Sequence, residues 1–278
     1  MAFAENQRVK IYWDEQGQGS PVLLIMGLGY PSYMWHRTRP ALIANYRTIA
    51  LDNRGVGKSD VPPGPYPISL MAADAAAVLD AASVDSAHVF GLSMGGMIAQ
   101  EFAVQYPARV RSLILGCTAP GGPNALRAEP AAIELLRARG FMNEDEAIRA
   151  SIPFIYDQHT PPERVEEDLT LRRQWVPRPQ AYYAQLQGIT AWECYSRLSQ
   201  INVPTLVLHG DSDRLVPPGN AKIIAERIPG AKLITIPNAS HIFTTDQPEL
   251  SQRAVLEFLA HHDGRAEADV AAEKSRIN

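Results

Sequence analysis

Six short apolar runs punctuate the chain: VLLIM (22–26), RTIALD (47–52), AHVFGL (87–92), RSLILGC (111–117), PTLVLHG (204–210) and AKLITIP (231–237). Most are nearly continuous in Val, Ile and Leu rather than alternating with polar residues. That pattern predicts strands covered on both faces, as in a parallel sheet. Helical spacing recurs between them. The segment 71–82 is Ala-rich with Val78 and Leu79 toward its end, and 95–106 sets Ile98, Phe102 and Tyr106 four residues apart. Segments 220–227 and 249–261 repeat the theme. Strands alternating with helices predict a doubly wound, mostly parallel α/β architecture.

The alternation fails from about 121 to 199, where no run reads as a buried strand. Four helices are expected there, over 125–139, 143–151, 161–175 and 180–198, with prolines at 153, 161, 162, 177 and 179 as breaks. The expected organisation is a core of 1–120 and 200–262, a helical cap inserted at 121–199, and a polar tail at 263–278, frayed or loosely docked. Packing of the cap onto its base accounts for most of its large side chains (Phe154, Ile155, Tyr156, Trp175, Tyr182, Tyr183, Trp192), with a pocket as the competing destination.

Composition narrows the partners. The 278 residues carry a net charge of −4, which provides no electrostatic reason to expect nucleic acid or an anionic membrane. No apolar run approaches the ~18 residues of a membrane span, and MAFAENQRVK lacks the features of a signal peptide. A cytoplasmic protein is the expectation. Cys117 and Cys194 are too few and too far apart for a disulfide framework or a thiolate metal site, so neither metal nor cofactor is expected. Cys117, ending an apolar run, reads as a buried strand residue.

The sharpest chemical signal is Gly91-Leu92-Ser93-Met94-Gly95-Gly96, set between an apolar run and the helical segment that follows. A G-x-S-x-G on a strand-to-helix turn is a nucleophile elbow. The positions two before and two after the serine crowd one another, which requires glycine, and the helix N-terminus favours developing negative charge. A serine hydroxyl needs a base, and the elbow predicts a carboxylate and then a histidine further along the chain. Of seven histidines, His241 lies in the loop after the last apolar run, where loops at the carboxyl ends of parallel strands form ligand sites. His88 and His209 read as structural, His159 falls in the cap, His36 precedes the elbow, and His261 and His262 end the final helix. The carboxylate belongs to the loop after PTLVLHG, which holds Asp211 and Asp213. Asp213 lies further from the strand and can reach toward His241, whereas Asp211 suits a turn. The oxyanion donors expected are the backbone N–H groups of Met94 and Leu28, the latter between Gly27 and Gly29.

Together these residues resemble the α/β-hydrolase superfamily over roughly 8–262, closest to its capped esterases, enol-lactonases and methylesterases. Asp52-Asn53-Arg54-Gly55-Val56-Gly57-Lys58-Ser59-Asp60 is similar to a structural turn of that superfamily. His209-Gly210-Asp211-Ser212-Asp213 is similar to its H-G-x-x-D, in which the last aspartate is the triad acid, so the resemblance implies Asp213. Many members carry His-Gly in the oxyanion loop where this chain has Met26-Gly27, which puts the loop's side-chain support in question. Serine at the elbow disfavours the dehalogenases and epoxide hydrolases, which use aspartate.

The expected activity is cleavage of a small carboxylic ester. Lactone, C–C bond or peracid chemistry on the same triad are the alternatives, and a small-molecule receptor of the same fold is the reading from another class. Tyr30, Met34, Trp35, Leu215, Ile242 and Phe243 flank the motif positions and are expected to line the pocket. The partner is then a small-molecule ester, with a homodimer left open.

Overall fold

A computed structural model describes residues 2–263; the expected tail from 264 onward lies outside the described residues. All six apolar runs are strands: β3 (Ser20–Ile25), β4 (Tyr46–Leu51), β5 (Ala87–Leu92), β6 (Val110–Gly116), β7 (Thr205–Gly210) and β8 (Lys232–Ile236). Two strands that the apolar pattern did not announce precede them, β1 (Ala2–Asn6) and β2 (Val9–Gln16). They form a hairpin whose turn residues Gln7 and Arg8 both have positive φ, 51° and 66°. That turn usually carries Asn-Gly, and its absence hid the hairpin.

The eight strands form one sheet in the order β1-β2-β4-β3-β5-β6-β7-β8. Its β1·β2 and β2·β4 pairs are antiparallel and the rest are parallel. Side chains of the central strands divide strictly by parity: Leu23, Ile25 and Ile49 enter one hydrophobic core, and Val22, Leu24 and Ala50 enter the other. This is why the runs are continuous in sequence, since both faces are covered. Strand β8 departs from the expectation of a buried strand. It is an edge strand in which Leu233 and Ile234 are exposed and only Ile236 is buried.

The helices are α1 (Arg39–Leu42), α2 (Ile68–Ala81), α3 (Met94–Gln105), α4 (Pro130–Ala138), α5 (Glu144–Ile155), α6 (Pro162–Arg172), α7 (Pro179–Ala191), α8 (Gly219–Arg227), α9 (Phe243–Asp246) and α10 (Pro248–His262). Helices α2, α3 and α8 cover the first core, and α10 covers the second through Val255, Phe258 and Leu259. The residues between β6 and β7 carry α4 to α7, but four boundaries differ from the expected ones: α4 starts at Pro130 rather than 125, α6 ends at Arg172 rather than 175, and the ends of α5 and α7 shift as well. Pro153 does not end a helix: α5 runs through it to Ile155, held by burial of Ile148 and Ile155 against Leu169 of α6. The expected helix over 180–198 stops at Ala191, and a separate 3-10 turn follows at Tyr195–Gln200. No helix of the described residues is long and apolar enough to cross a membrane.

Candidate active site

Ser93 sits between β5 and α3 with φ 56° and ψ −120°. A side chain in that conformation is strained by on the order of 1–3 kcal/mol and persists only where its surroundings over-determine it. Here Ser93 N–H donates to Gly116 O (2.9 Å), and Thr118 Oγ1–H donates to Ser93 O (2.8 Å). The glycines are steric necessities: a Cβ on Gly91 would lie 2.1 Å from Gly95 O, and one on Gly95 would lie 2.0 Å from Ile25 O. The N–H of Met94, the first residue of α3, is one of the donors that a helix leaves without an intrahelical acceptor.

The loop after β3 presses against the serine. A Cβ on Gly27 would lie 3.1 Å from Ser93 Cβ. Its support comes from elsewhere in the chain than position 26: Asn53 Nδ2 donates to Met26 O (2.9 Å), and Gly29 N–H donates to Gln185 Oε1 of α7 (2.9 Å). Gln185 is fully buried, and its amide N–H donates to Arg54 O (2.9 Å). With Gly29 N–H engaged, the N–H of Leu28 makes no hydrogen bond among the described residues. Asp52 holds the neighbouring turn by accepting from Ser32 N–H (2.7 Å) and Lys58 N–H (2.9 Å), the structural role that the resemblance implied.

His241 Nδ1 lies 2.8 Å from Asp213 Oδ2. A carboxylate only accepts, so Nδ1 carries the proton and Nε2 is left as the basic nitrogen. Asp213 is almost fully buried. Its Oδ1 accepts from the N–H groups of Leu215 (2.9 Å) and Val216 (2.8 Å), and its Oδ2 also lies 3.1 Å from His209 Nε2. Burial pushes the carboxyl pKa up, but the charge of His241 and the bonds from both histidines outweigh it, and the net shift is downward. Asp211 is exposed and instead accepts from Ala239 N–H (3.3 Å), shaping the loop. His209 Nε2 also lies 2.8 Å from Val216 O, so His209 ties down the loop that carries Asp213, the structural role expected of it.

Ser93, His241, Leu28 and Met94 line one cavity of about 270 Å³. Tyr30, Met34, Leu215, Ile242 and Phe243 line it too. Trp35 does not. It is buried in the second core with its ring 4.9 Å from that of Phe90, because the 3-10 turn Ser32–Trp35 sends it into the sheet while Met34 faces the cavity. Of the large side chains expected in the cap, Phe154, Ile155 and Tyr182 reach the cavity. Trp192 instead bonds Glu101 through Nε1–H (2.7 Å), and Tyr183 bonds Arg137 O (2.6 Å). Cys117, one residue beyond β6, also lines the cavity. Burial, with Asp213 nearby, raises its pKa well above the ordinary value, so it stays a thiol and does not compete as a nucleophile.

The sequence reading missed the charged part of the wall, formed by His36, Arg37, Arg139, Asp168 and Arg172. One signal was available. Val165, Asp168, Leu169 and Arg172 share a helical face by their spacing, so two charges occupy positions of the apolar stripe. Among the described residues no cluster of His, Cys, Asp and Glu could hold a metal.

Residues 20–248 match the family model described as alpha/beta hydrolase fold. The chain is 31% identical over 271 residues to a protein of Azorhizobium caulinodans provisionally named carbamate hydrolase RutD, covering 95% of this chain and all of that one. It is 32% identical over 251 residues to the poly(3-hydroxyalkanoate) depolymerase of Ectopseudomonas oleovorans, covering 89% and 87% of the two chains. Among solved structures, a thermophilic esterase from Thermogutta terrifontis superimposes with a TM-score of 0.80 at 29% identity, covering 91% of this chain and 94% of that one. The elbow, the parity-divided parallel sheet and these matches agree, and the chain belongs to the alpha/beta hydrolase fold family.

Proposed function

We propose that the protein is a serine hydrolase of small carboxylic esters, acting through an acyl-enzyme on Ser93. The observation that carries this reading is the strained, exposed-to-cavity Ser93 sharing one cavity with a His241–Asp213 pair whose Nδ1–Oδ2 distance is 2.8 Å. In the first step His241 Nε2 removes the Ser93 proton as Oγ bonds to the ester carbonyl carbon. The N–H groups of Leu28 and Met94 receive the oxyanion, and His241 returns the proton to the leaving alcohol as the C–O bond breaks. A water then attacks the acyl-enzyme with the same histidine as base, which releases the acid. Asp213 keeps His241 in the productive tautomer and stabilises its cation. The helices between β6 and β7 act as a cap, supported by the side chains that they send into the cavity.

The relatives are named for different bonds, a carbamate in one case and an ester in another. The mostly aliphatic and methionine-rich lining suits a modest acyl group. Replacement Ser93→Ala is expected to lower kcat for p-nitrophenyl esters by on the order of 10⁴–10⁶ and to abolish labelling by a fluorophosphonate. Near-normal esterase activity in that variant would sink the assignment. A parallel panel of esters, lactones and vinylogous diketones ranks the bond types.

A further inference from the structure

Arg172, the last residue of α6, is 2% exposed, yet it reaches the wall of the Ser93 cavity. A buried guanidinium normally pairs with a carboxylate, because losing its hydration is costly. Arg172 has no such partner among the described residues. The obvious candidate, Asp168 one helical turn earlier, is fully engaged: its Oδ1 takes His36 Nε2 (3.0 Å) and Arg37 Nε (3.0 Å), and its Oδ2 takes Tyr156 O–H (3.2 Å) and Thr245 Oγ1–H (2.5 Å). Arg172 instead donates from Nε (2.7 Å) and from Nη2 to the hydroxyl of Tyr30, and its Nη1 has no hydrogen-bond partner.

The same hydroxyl accepts from Arg139 Nη1 at 3.0 Å. Two cations thus converge on one phenol at the cavity wall. Burial alone would raise the Tyr30 pKa, but the charges of Arg139 and Arg172 and their hydrogen bonds reverse the shift to a net lowering. A phenol hydroxyl is not a carboxylate, so the charge of Arg172 keeps no carboxylate counter-ion among the described residues. An uncompensated charge next to a mostly apolar cavity acts strongly on whatever enters, since screening there is weak.

Building on the esterase reading, we infer that the wall formed by Tyr30, Arg139 and Arg172 receives a free carboxylate of the substrate, so that the ester cleaved at Ser93 is a half-ester or an ester with a carboxylate at its far end. The apolar side chains between hold the connecting carbons, and the carboxylate supplies the counter-charge that the fold withholds from Arg172.

Two measurements test this separately from the catalytic reading. The first is calorimetric titration of the Ser93→Ala protein with glutarate, adipate and pimelate against the diols of matched length. At least one diacid is expected to bind tenfold or more tightly than its diol; equal or undetectable binding throughout overturns the subsite. The second compares kcat/KM of the wild-type protein for mono-p-nitrophenyl esters of these diacids and for p-nitrophenyl alkanoates of equal length. A preference of at least tenfold for the charged ester is expected. It should fall toward unity in Arg172→Met and be partly kept in Arg172→Lys, with Arg139→Met as the second variant if the first does not fold. A wild-type protein that hydrolyses both series equally overturns the subsite and leaves the esterase reading standing. One that hydrolyses neither overturns the esterase reading, while the titration still decides the subsite.

Discussion

At the residue scale, the carboxylates around the candidate site sit in opposite electrostatic situations. Asp213 accepts hydrogen bonds from Leu215 N–H, Val216 N–H and His241 Nδ1, with His209 Nε2 3.1 Å away, and its pKa is lowered, whereas Asp211 shapes a turn. Asp213→Asn is therefore expected to lower kcat by about 10⁴ by presenting the wrong tautomer to the ester, as in other triads. Asp211→Asn should stay within a few-fold in the same assay. Asp246 behaves differently. It accepts from Ser240 N–H (2.7 Å) and Thr160 Oγ1–H (2.5 Å) next to the His241 loop, but burial pushes its pKa up to about 6. Between the ordinary carboxylate pKa near 4 and pH 6, the folded protein then binds more protons at this site than the unfolded chain. Stability from this group falls as pH rises through that window. Urea midpoints measured from pH 4 to 7 should show this decline in the wild type and a flatter curve in Asp246→Asn; an identical slope in both would refute the assignment.

At the element scale, the site depends on how closely backbone segments approach. The elbow brings β5 and α3 so near that Gly91→Ala would set a Cβ 2.1 Å from a carbonyl oxygen, which no side-chain movement relieves. A loss of about 1–3 kcal/mol is expected from such overpacking, read as a lower thermal midpoint together with lost turnover. Helix α7 holds the loop proposed to carry the oxyanion donor, through Gln185. In Gln185→Leu the buried Gly29 N–H loses its acceptor, and the loop is free to turn Leu28 N–H away from the reacting carbonyl. The expected result is a ten- to hundredfold lower kcat with a smaller change in KM. Gln185→Glu keeps an acceptor and should restore part of the rate. A purely structural glutamine would lower the thermal midpoint and leave kcat untouched.

At the scale of the whole molecule, a buried ion pair joins parts of the chain distant in sequence. Arg54 Nε and Nη2 contact the two Asp74 oxygens at 2.6 Å, Asn6 Nδ2 donates to Asp74 (2.8 Å), and Arg54 O accepts from Gln185. Hairpin β1–β2, the turn after β4, helix α2 and helix α7 meet there. Arg54→Met would strand a buried carboxylate and is expected to cost about 3–5 kcal/mol, whereas Arg54→Met with Asp74→Leu should recover most of it. Chemical unfolding of the two variants checks this. If the single and double variants lose the same stability, the pair does not act as a unit.

Much of this protein was legible before its structure. Six of the eight strands could be read because a two-sided parallel sheet writes itself as continuous apolar runs, and Ser93 because a tight elbow admits only glycine at its flanks. The order of elbow, aspartate loop and histidine loop along the chain then singled out Asp213 and His241, which meet at 2.8 Å. The hairpin β1–β2 escaped because its alternation is short and its turn lacks the usual residues. The inward turn of Trp35 and the convergence of Arg139 and Arg172 on Tyr30 escaped for a different reason. Each depends on side chains from separate elements meeting in space, and local spacing carries no information about which helix faces which loop. Sequence alone determined the candidate nucleophile, the histidine proposed as its base and the sheet that presents them, because local sterics and burial dictate those. Only the tertiary structure decided what else surrounds the serine, because the charge of the cavity wall is set by packing between elements that the chain order keeps apart.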